Sequence, residues 1–203
     1  MTTESDKASR PHGDRRRSAL LHALDEHLQD SSLDSITIAD ISRAAGVTRS
    51  AFYFYFENKA AAVAALMEDM YDQAFVATGE LTGAGTPAEN IEATIRGLFA
   101  AWEQHRHLFR AMLDARATSP AVREMWESDR LSFVEPVAEM IRGERAAGRA
   151  PDGVDAAALA SVLLELNDRM LERLALGGPL EREELVAAVV QVWLRTIYGR
   201  TDA

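Results

Sequence analysis

Apolar positions recur every three to four residues along almost the whole chain, and no segment alternates with the two-residue period of a strand. Leu20, Leu21, Leu24 and Leu28 make one stripe of a first helix that starts near Asp14 or Arg15, and the polar run DSSLDS at 30–35 breaks it. Two short helices follow, then a long one from Lys59 to about residue 78 with Val63, Leu66, Met67, Met70, Tyr71 and Phe75 inward. GELTGAGTP at 79–87 is the clearest interruption, and Thr86-Pro87-Ala88-Glu89 reads as a capping box with proline in the first turn. Beyond it, Ile91, Ile95, Leu98, Phe99 and Trp102 mark a helix to about His105, and Leu108, Phe109, Met112 and Leu113 a shorter one ending before Ser119-Pro120. A long helix carries Val122, Met125, Trp126, Phe133, Val137, Met140 and Ile141. Inside it Pro136 removes a backbone bond near Ser132, which either favours a kink that could shape a pocket wall or simply breaks the helix. Asp155 can cap the next helix, which runs through Leu174 to Gly177-Gly178-Pro179, and Leu180–Tyr198 forms the last. The pattern predicts an all-α protein of nine helices and no sheet.

The most informative stretch is TIADISRAAGVTRSAFYFYFENK, residues 37–59. Thr37 can cap a helix whose apolar positions Ile38, Ile41 and Ala44/Ala45 share one face, and Gly46 supplies the left-handed residue that ends it. Val47 plugs the turn and Thr48 caps a second short helix carrying Arg49, Ser50, Tyr53 and Tyr55, donors and rings rather than a solvated charge pattern. This is the layout of a helix-turn-helix, whose second helix enters the major groove. Arg49 opens that helix, where a guanidinium suits guanine O6 and N7; Ser50 and Ala51 let the helix sit deep, and Ala51 can meet a thymine methyl. Tyr53 and Tyr55 offer hydroxyls to phosphate or base, although Tyr55 can equally pack back on the first helix. Thr37 and the amides around it suit a phosphate oxygen, and Lys59 would be a second phosphate clamp. Phe52 and Phe56 point into the small core.

The same residues resemble the N-terminal DNA-binding domain of TetR-family transcriptional repressors. Thr37, Ala45, Gly46, Val47, Thr48, Phe52, Tyr53, Phe56, Asn58 and Lys59 stand in the places of that family's pattern, over roughly residues 15–65. FYFYF, ARATS at 115–119 and TIYG at 196–199 are similar to the EthR-like branch, whose members bind small hydrophobic ligands. The resemblance implies a nine-helix TetR-like fold: an arm at 1–13 expected to be disordered, a helix-turn-helix head at 14–60 continuing into a connecting helix at 59–78, and a ligand-binding and dimerisation body at 61–203.

Composition sharpens this picture. The net charge of −10 argues superficially against nucleic acid, but residues 1–59 hold 8 Lys/Arg and 9 Asp/Glu, net −1, whereas residues 60–203 hold 14 and 23, net −9. Phosphate neutralisation needs a local basic surface, which Arg15, Arg16, Arg17, Arg43, Arg49 and Lys59 can provide. No apolar run is long enough to span a bilayer and the N-terminus lacks a signal-peptide core, so the expectation is no membrane partner. The absence of cysteine excludes disulfides and zinc–thiolate sites and favours a cytoplasmic location.

The last two helices are apolar over a wide arc: Leu159, Val162, Leu163, Leu166, Met170 and Leu174 on one, Leu185, Val186, Val189, Val190, Trp193, Leu194 and Ile197 on the other. They are either internal core helices or the interface of a two-fold homodimer. The resemblance implies the second, and reading two half-sites of a palindromic or near-palindromic duplex operator requires it. The C-terminal helices also concentrate Trp102, Phe109, Met112, Trp126, Phe133, Met170 and Trp193, either plain core or the wall of an effector site. Asn167, a neutral amide in an apolar stripe, is either a satisfied structural or dimer contact or an anchor for a ligand carbonyl or ether. In EthR-like proteins Leu98, Trp102, Trp126, Phe133, Asn167 and Trp193 match positions of an aromatic tunnel. Leu164 stands where that branch has a second asparagine, which implies a different ligand chemistry.

Two rival classes are weaker. A helical protein–protein module explains the amphipathic helices but not Arg49–Tyr55. An enzyme lacks its machinery: no glycine-rich phosphate loop, Gly-x-Ser-x-Gly elbow or cysteine nucleophile is present. His105 and His107 flank Arg106 at a spacing that does not face one metal on a helix, and His22 and His27 lack an organised carboxylate pair. The reading is a ligand-responsive DNA-binding transcriptional regulator, a repressor released by a small hydrophobic molecule, with no cofactor, metal or catalytic residue.

Overall fold

The computed structural model describes residues 10–78 and 84–199. Every regular element among them is a helix: α1 (Arg10–Asp30), α2 (Ile38–Ala44), α3 (Arg49–Tyr55), α4 (Lys59–Thr78), α5 (Pro87–Gln104), α6 (Arg106–Thr118), α7 (Pro120–Ser132), α8 (Val134–Ala146), α9 (Ala156–Ala175) and α10 (Arg182–Tyr198). The expected arm at 1–9, the break at 79–83 and the inward side chains of Met70, Tyr71 and Phe75 lie outside the described residues. Residues 10–13, expected in the arm, instead begin α1, with Pro11 in a first turn that has no use for its missing N–H.

The long seventh helix expected from the sequence is interrupted once and forms two. Phe133 alone separates α7 from α8. Pro136 is the physical reason: having no N–H for the Ser132 carbonyl, it fits only a first turn, and the chain restarts at Val134 to put it there. Val137 N then donates to Phe133 O at 3.3 Å as the first bond of the new segment. Counted as one interrupted helix, α7–α8 leaves the nine helices of the sequence pattern.

Local signals act where they stand. Thr37 and Asp40 form a reciprocal capping box on α2, and Thr86 and Glu89 another on α5; Thr48 caps α3 and Asp155 caps α9. Each such cap is worth about 0.5–2 kcal/mol. Gly46, at φ 65°, closes α2: Val47 N donates to Ser42 O at 2.9 Å and Gly46 N to Arg43 O at 3.2 Å. An added Cβ would meet nothing within 4 Å there, so glycine is required by the backbone conformation and not by crowding.

The chain packs as two compact units. One runs to Glu68 and takes in His107–Arg123; the other comprises Asp69–Arg106 and the residues from Glu124 onward. In the first, α1, α2 and α3 contact one another around a core of Leu20, Leu24, Ile41, Phe52 and Met67. His107 of α6 joins Asp25 of α1 at 2.8 Å. In the second, α9 packs on α8 and α10, and α5 lies against α10 and α9. Ile95, Phe99, Ile141, Leu163, Val189, Trp193 and Ile197 are buried there. Among the described residues no helix is long and apolar enough to cross a membrane.

Candidate functional site

The helix-turn-helix is α2, the Gly46 turn and α3. Seven residues make α3, and its two sides differ sharply. Phe52 is fully enclosed and Phe56, its C-cap, is nearly so, with ring centroids 5.6 Å apart, which anchors the helix to the core. Arg49, Ser50, Tyr53 and Phe54 are exposed on the other side. Arg49 Nη2 donates to the Tyr53 hydroxyl at 3.3 Å, and its guanidinium carbon sits 5.7 Å from the Tyr53 ring centroid. The tyrosine one turn on therefore holds the arginine over an aromatic face. Tyr55 is half-buried, its ring edge-on to Phe54 at 4.9 Å and tilted against Phe56 at 6.4 Å.

Thr37 and Thr48 are both occupied as caps. Thr48 Oγ1 accepts from Ala51 N at 3.2 Å. Thr37 Oγ1 accepts from Asp40 N at 3.2 Å and donates to Asp40 Oδ2 at 2.5 Å, while Arg43 meets Asp40 Oδ1 at 2.9 Å. The Thr37 hydroxyl, then the Arg43 guanidinium, hold the Asp40 carboxyl below its ordinary range. A carboxylate thus already sits where a phosphate was expected at the start of α2. Arg15 and Arg16 are exposed on α1; Arg17 lies 3.6 Å from Glu68, with its guanidinium 5.6 Å from the Phe56 ring centroid.

Lys59, expected as a phosphate clamp, has partners inside the head itself. Its ammonium donates to the carbonyls of Leu33 at 2.5 Å and Ile36 at 2.6 Å, with Asp34 O at 3.5 Å. It ties the start of α4 to the α1–α2 loop, while Asn58 Oδ1 caps α4 by accepting from Ala61 N at 2.9 Å. The Asn-Lys pair after the aromatic run is a folding device: one residue caps a helix and the other satisfies loop carbonyls.

The C-terminal candidates divide between the units. Phe109 and Met112 belong to the unit that holds the helix-turn-helix, where they are 1% and 0% exposed core residues, and the other seven belong to the second unit. In the second unit Trp102 and Trp126 are neighbours, ring centroids 6.0 Å apart and tilted by 48°. Asn167 is 4% exposed, and its Oδ1 accepts the Trp193 indole N–H at 3.0 Å. Leu98 and Phe133 are half-buried. Met170 lines a cleft of about 170 Å³ with Arg173, Leu174, Gly178, Pro179, Leu180 and Leu185. Sequence reasoning missed Phe54, 81% exposed on α3, although its position four residues after Ser50 placed it on the outer face. Among the described residues no three His, Cys, Asp or Glu side chains cluster to hold a metal.

A helix-turn-helix held on a small core with its second helix turned to solvent, in an all-α chain, defines a DNA-binding transcriptional regulator. Residues 20–66 match the family described as bacterial regulatory proteins, tetR family, and residues 91–199 the C-terminal domain of transcriptional regulator EthR. The HTH-type transcriptional regulator EthR of Mycobacterium tuberculosis is 33% identical over 198 residues, spanning 95% of this chain and 92% of its own. Among solved structures, NalD, the secondary repressor of the MexAB-OprM multidrug efflux pump in Pseudomonas aeruginosa, aligns with a TM-score of 0.71 at 18% identity over 92% of this chain and 98% of its own. SmeT in complex with triclosan gives 0.69 at 21% over 93% and 97%. Those two likenesses are of fold. The chain belongs to the TetR family, in its EthR-like branch, whose members are transcriptional regulators and not enzymes.

Proposed function

We propose that the protein is a cytoplasmic homodimeric repressor that grips a two-fold symmetric operator through α3 and is released by a small hydrophobic effector. The observation that carries the reading is the outer face of α3. Arg49, Ser50 and Tyr53 face solvent on a helix whose opposite side, Phe52 and Phe56, is buried. Arg49 reads a guanine edge and Tyr53 both steers it and offers its ring and hydroxyl to the duplex. Thr48, whose oxygen caps α3, and Ser50 turn their O–H groups to the groove, Thr37 fixes the start of α2 through its cap, and Tyr55 braces the helix from behind. Arg15 and Arg16 serve phosphates, and Lys59 acts by holding the head together.

Two heads must reach major-groove faces about 34–36 Å apart, which calls for a dimer. Exposed Val162 and Leu176 at α9 and Val192 on α10 favour those two helices as its interface. The effector site is assigned to the second unit, among Leu98, Trp102, Trp126, Phe133, Asn167, Met170 and Trp193. An effector can release DNA only by binding better to the arrangement whose heads miss adjacent groove turns.

The test is a mobility shift with the duplex immediately upstream of the coding sequence, with and without a panel of hydrophobic compounds. Retention of that duplex over random DNA, relieved by at least one compound, is the expected result. A folded protein that discriminates no duplex, even after selection from a random pool, overturns the reading.

A further inference from the structure

The structure assigns to Phe54 a role in choosing the operator sequence: its ring covers the 5-methyl group of a thymine in the major groove. The assignment rests on the DNA-binding reading above and names what the apolar part of that interface recognises.

Phe54 has the largest exposed fraction, 81%, of the large apolar side chains exposed among the described residues, and it stands on the shortest kind of helix in the molecule. Its neighbours Phe52 and Phe56 are buried, so the core took the two aromatics it could hold and left this one outside. The ring is not loose. Tyr55 meets it edge-on at 4.9 Å and 88°, which limits the directions it can take. Ser50, one turn earlier on the same face, is small and exposed, so nothing bulky on α3 screens Phe54 from that side.

The chemistry of the groove then narrows the partner. Base edges in the major groove present N7, O6, O4 and the amino groups N4 and N6, all polar, and one apolar group, the thymine methyl. A phenyl ring set against any polar edge strips it of water without returning a hydrogen bond, which is unfavourable. Set against the methyl, it removes apolar surface from water on both sides. Arg49 and Tyr53, also exposed on α3, supply the donors for polar edges. The recognition face thus divides into a hydrogen-bonding part and a methyl-reading part.

The experiment uses the full-length protein and a duplex it selects from a random pool. Thymines are replaced one at a time by deoxyuridine, which deletes the methyl and leaves pairing intact. The wild-type protein is expected to lose about fourfold in affinity for each methyl that Phe54 covers, at one position in each half-site. Phe54→Ala should bind the parent duplex more weakly and give equal affinities for thymine and deoxyuridine at that position, and Phe54→Leu should keep part of the discrimination. The wild-type arm needs no variant, so a folding defect cannot mask the answer. Tight binding by the wild type that is indifferent to every replacement overturns the assignment, as does Phe54→Ala retaining the full discrimination; the ring then touches sugar or protein. Failure to select any duplex overturns the DNA-binding reading itself, and this assignment with it.

Discussion

Trp193 on α10 donates its indole N–H to Oδ1 of Asn167 on α9 across 3.0 Å of buried interior. An indole nitrogen can only donate, so the amide must turn its oxygen toward it. The amide nitrogen is the group of Asn167 that can donate. An effector anchored at Asn167 would therefore bring an acceptor, such as a carbonyl or ether oxygen. The bond to Trp193 makes the residue a structural amide, one of its two readings from sequence.

Replacing Asn167 by Leu strands the buried indole N–H and should destabilise the protein by about 1–3 kcal/mol. Adding Trp193→Phe removes the stranded donor, so the double variant should lose less than the sum of the two single losses. Urea-unfolding midpoints of the four proteins measure the coupling. Strict additivity would mean that the bond contributes nothing.

Lys59→Met separates a folding role from a phosphate contact. It removes a charged donor from the carbonyls of Leu33 and Ile36, a loss of about 1.5–3 kcal/mol for a hydrogen bond to an ionised group. The head should melt earlier, while the slope of log affinity against log salt stays the same. A slope shallower by about one unit, with unchanged stability, would restore the phosphate contact.

The sequence was most legible where a structural rule is local. Thr37, Gly46, Thr48, Thr86 with Glu89, and Asp155 act within a few residues of where they stand, and each caps or ends the helix its spacing implied. Pro136 pointed to a kink or a break, and the structure shows a break, placed at Phe133. What stayed hidden depends on contacts distant in sequence. Nothing near Lys59 reveals that three carbonyls 23 to 26 residues earlier wait for its ammonium. Phe109 and Met112 have the same apolar character as Trp102 and Trp126, and their membership of the unit that holds the helix-turn-helix is a matter of tertiary packing. Asn167 looked ambiguous because its partner, Trp193, lies on another helix.

Asp40 links the head to pH. Hydrogen bonds to its ionised form lower its pKa in the folded protein from the ordinary 3.8, the Thr37 hydroxyl first and Arg43 next. For a carboxyl lowered by folding, the stabilisation is whole above the unfolded value and is lost as pH falls through the folded one. The melting difference between wild type and Asp40→Asn should therefore be present at neutral pH and shrink below pH 3.8. A difference that is constant across that range would show that the carboxylate charge plays no part.

Arg49 and Tyr53 make the sharpest test of the reading head, because the contact between them predicts unequal effects. Arg49→Ala removes the guanidinium and should cost about 1–3 kcal/mol on a selected duplex, less on random DNA, with one base position per half-site relaxed. Tyr53→Phe keeps the ring beneath the guanidinium but deletes the hydroxyl that Arg49 Nη2 reaches at 3.3 Å. It should weaken discrimination at that same base position by less, since the arginine is freed rather than lost. In the Arg49→Ala background the Tyr53→Phe change should have no further effect at that position, which assigns the tyrosine hydroxyl a steering role there. Competition binding against single-base operator variants reads all three quantities. Equal losses on selected and random duplexes for Arg49→Ala would reduce it to a phosphate contact and move base reading to the rest of α3.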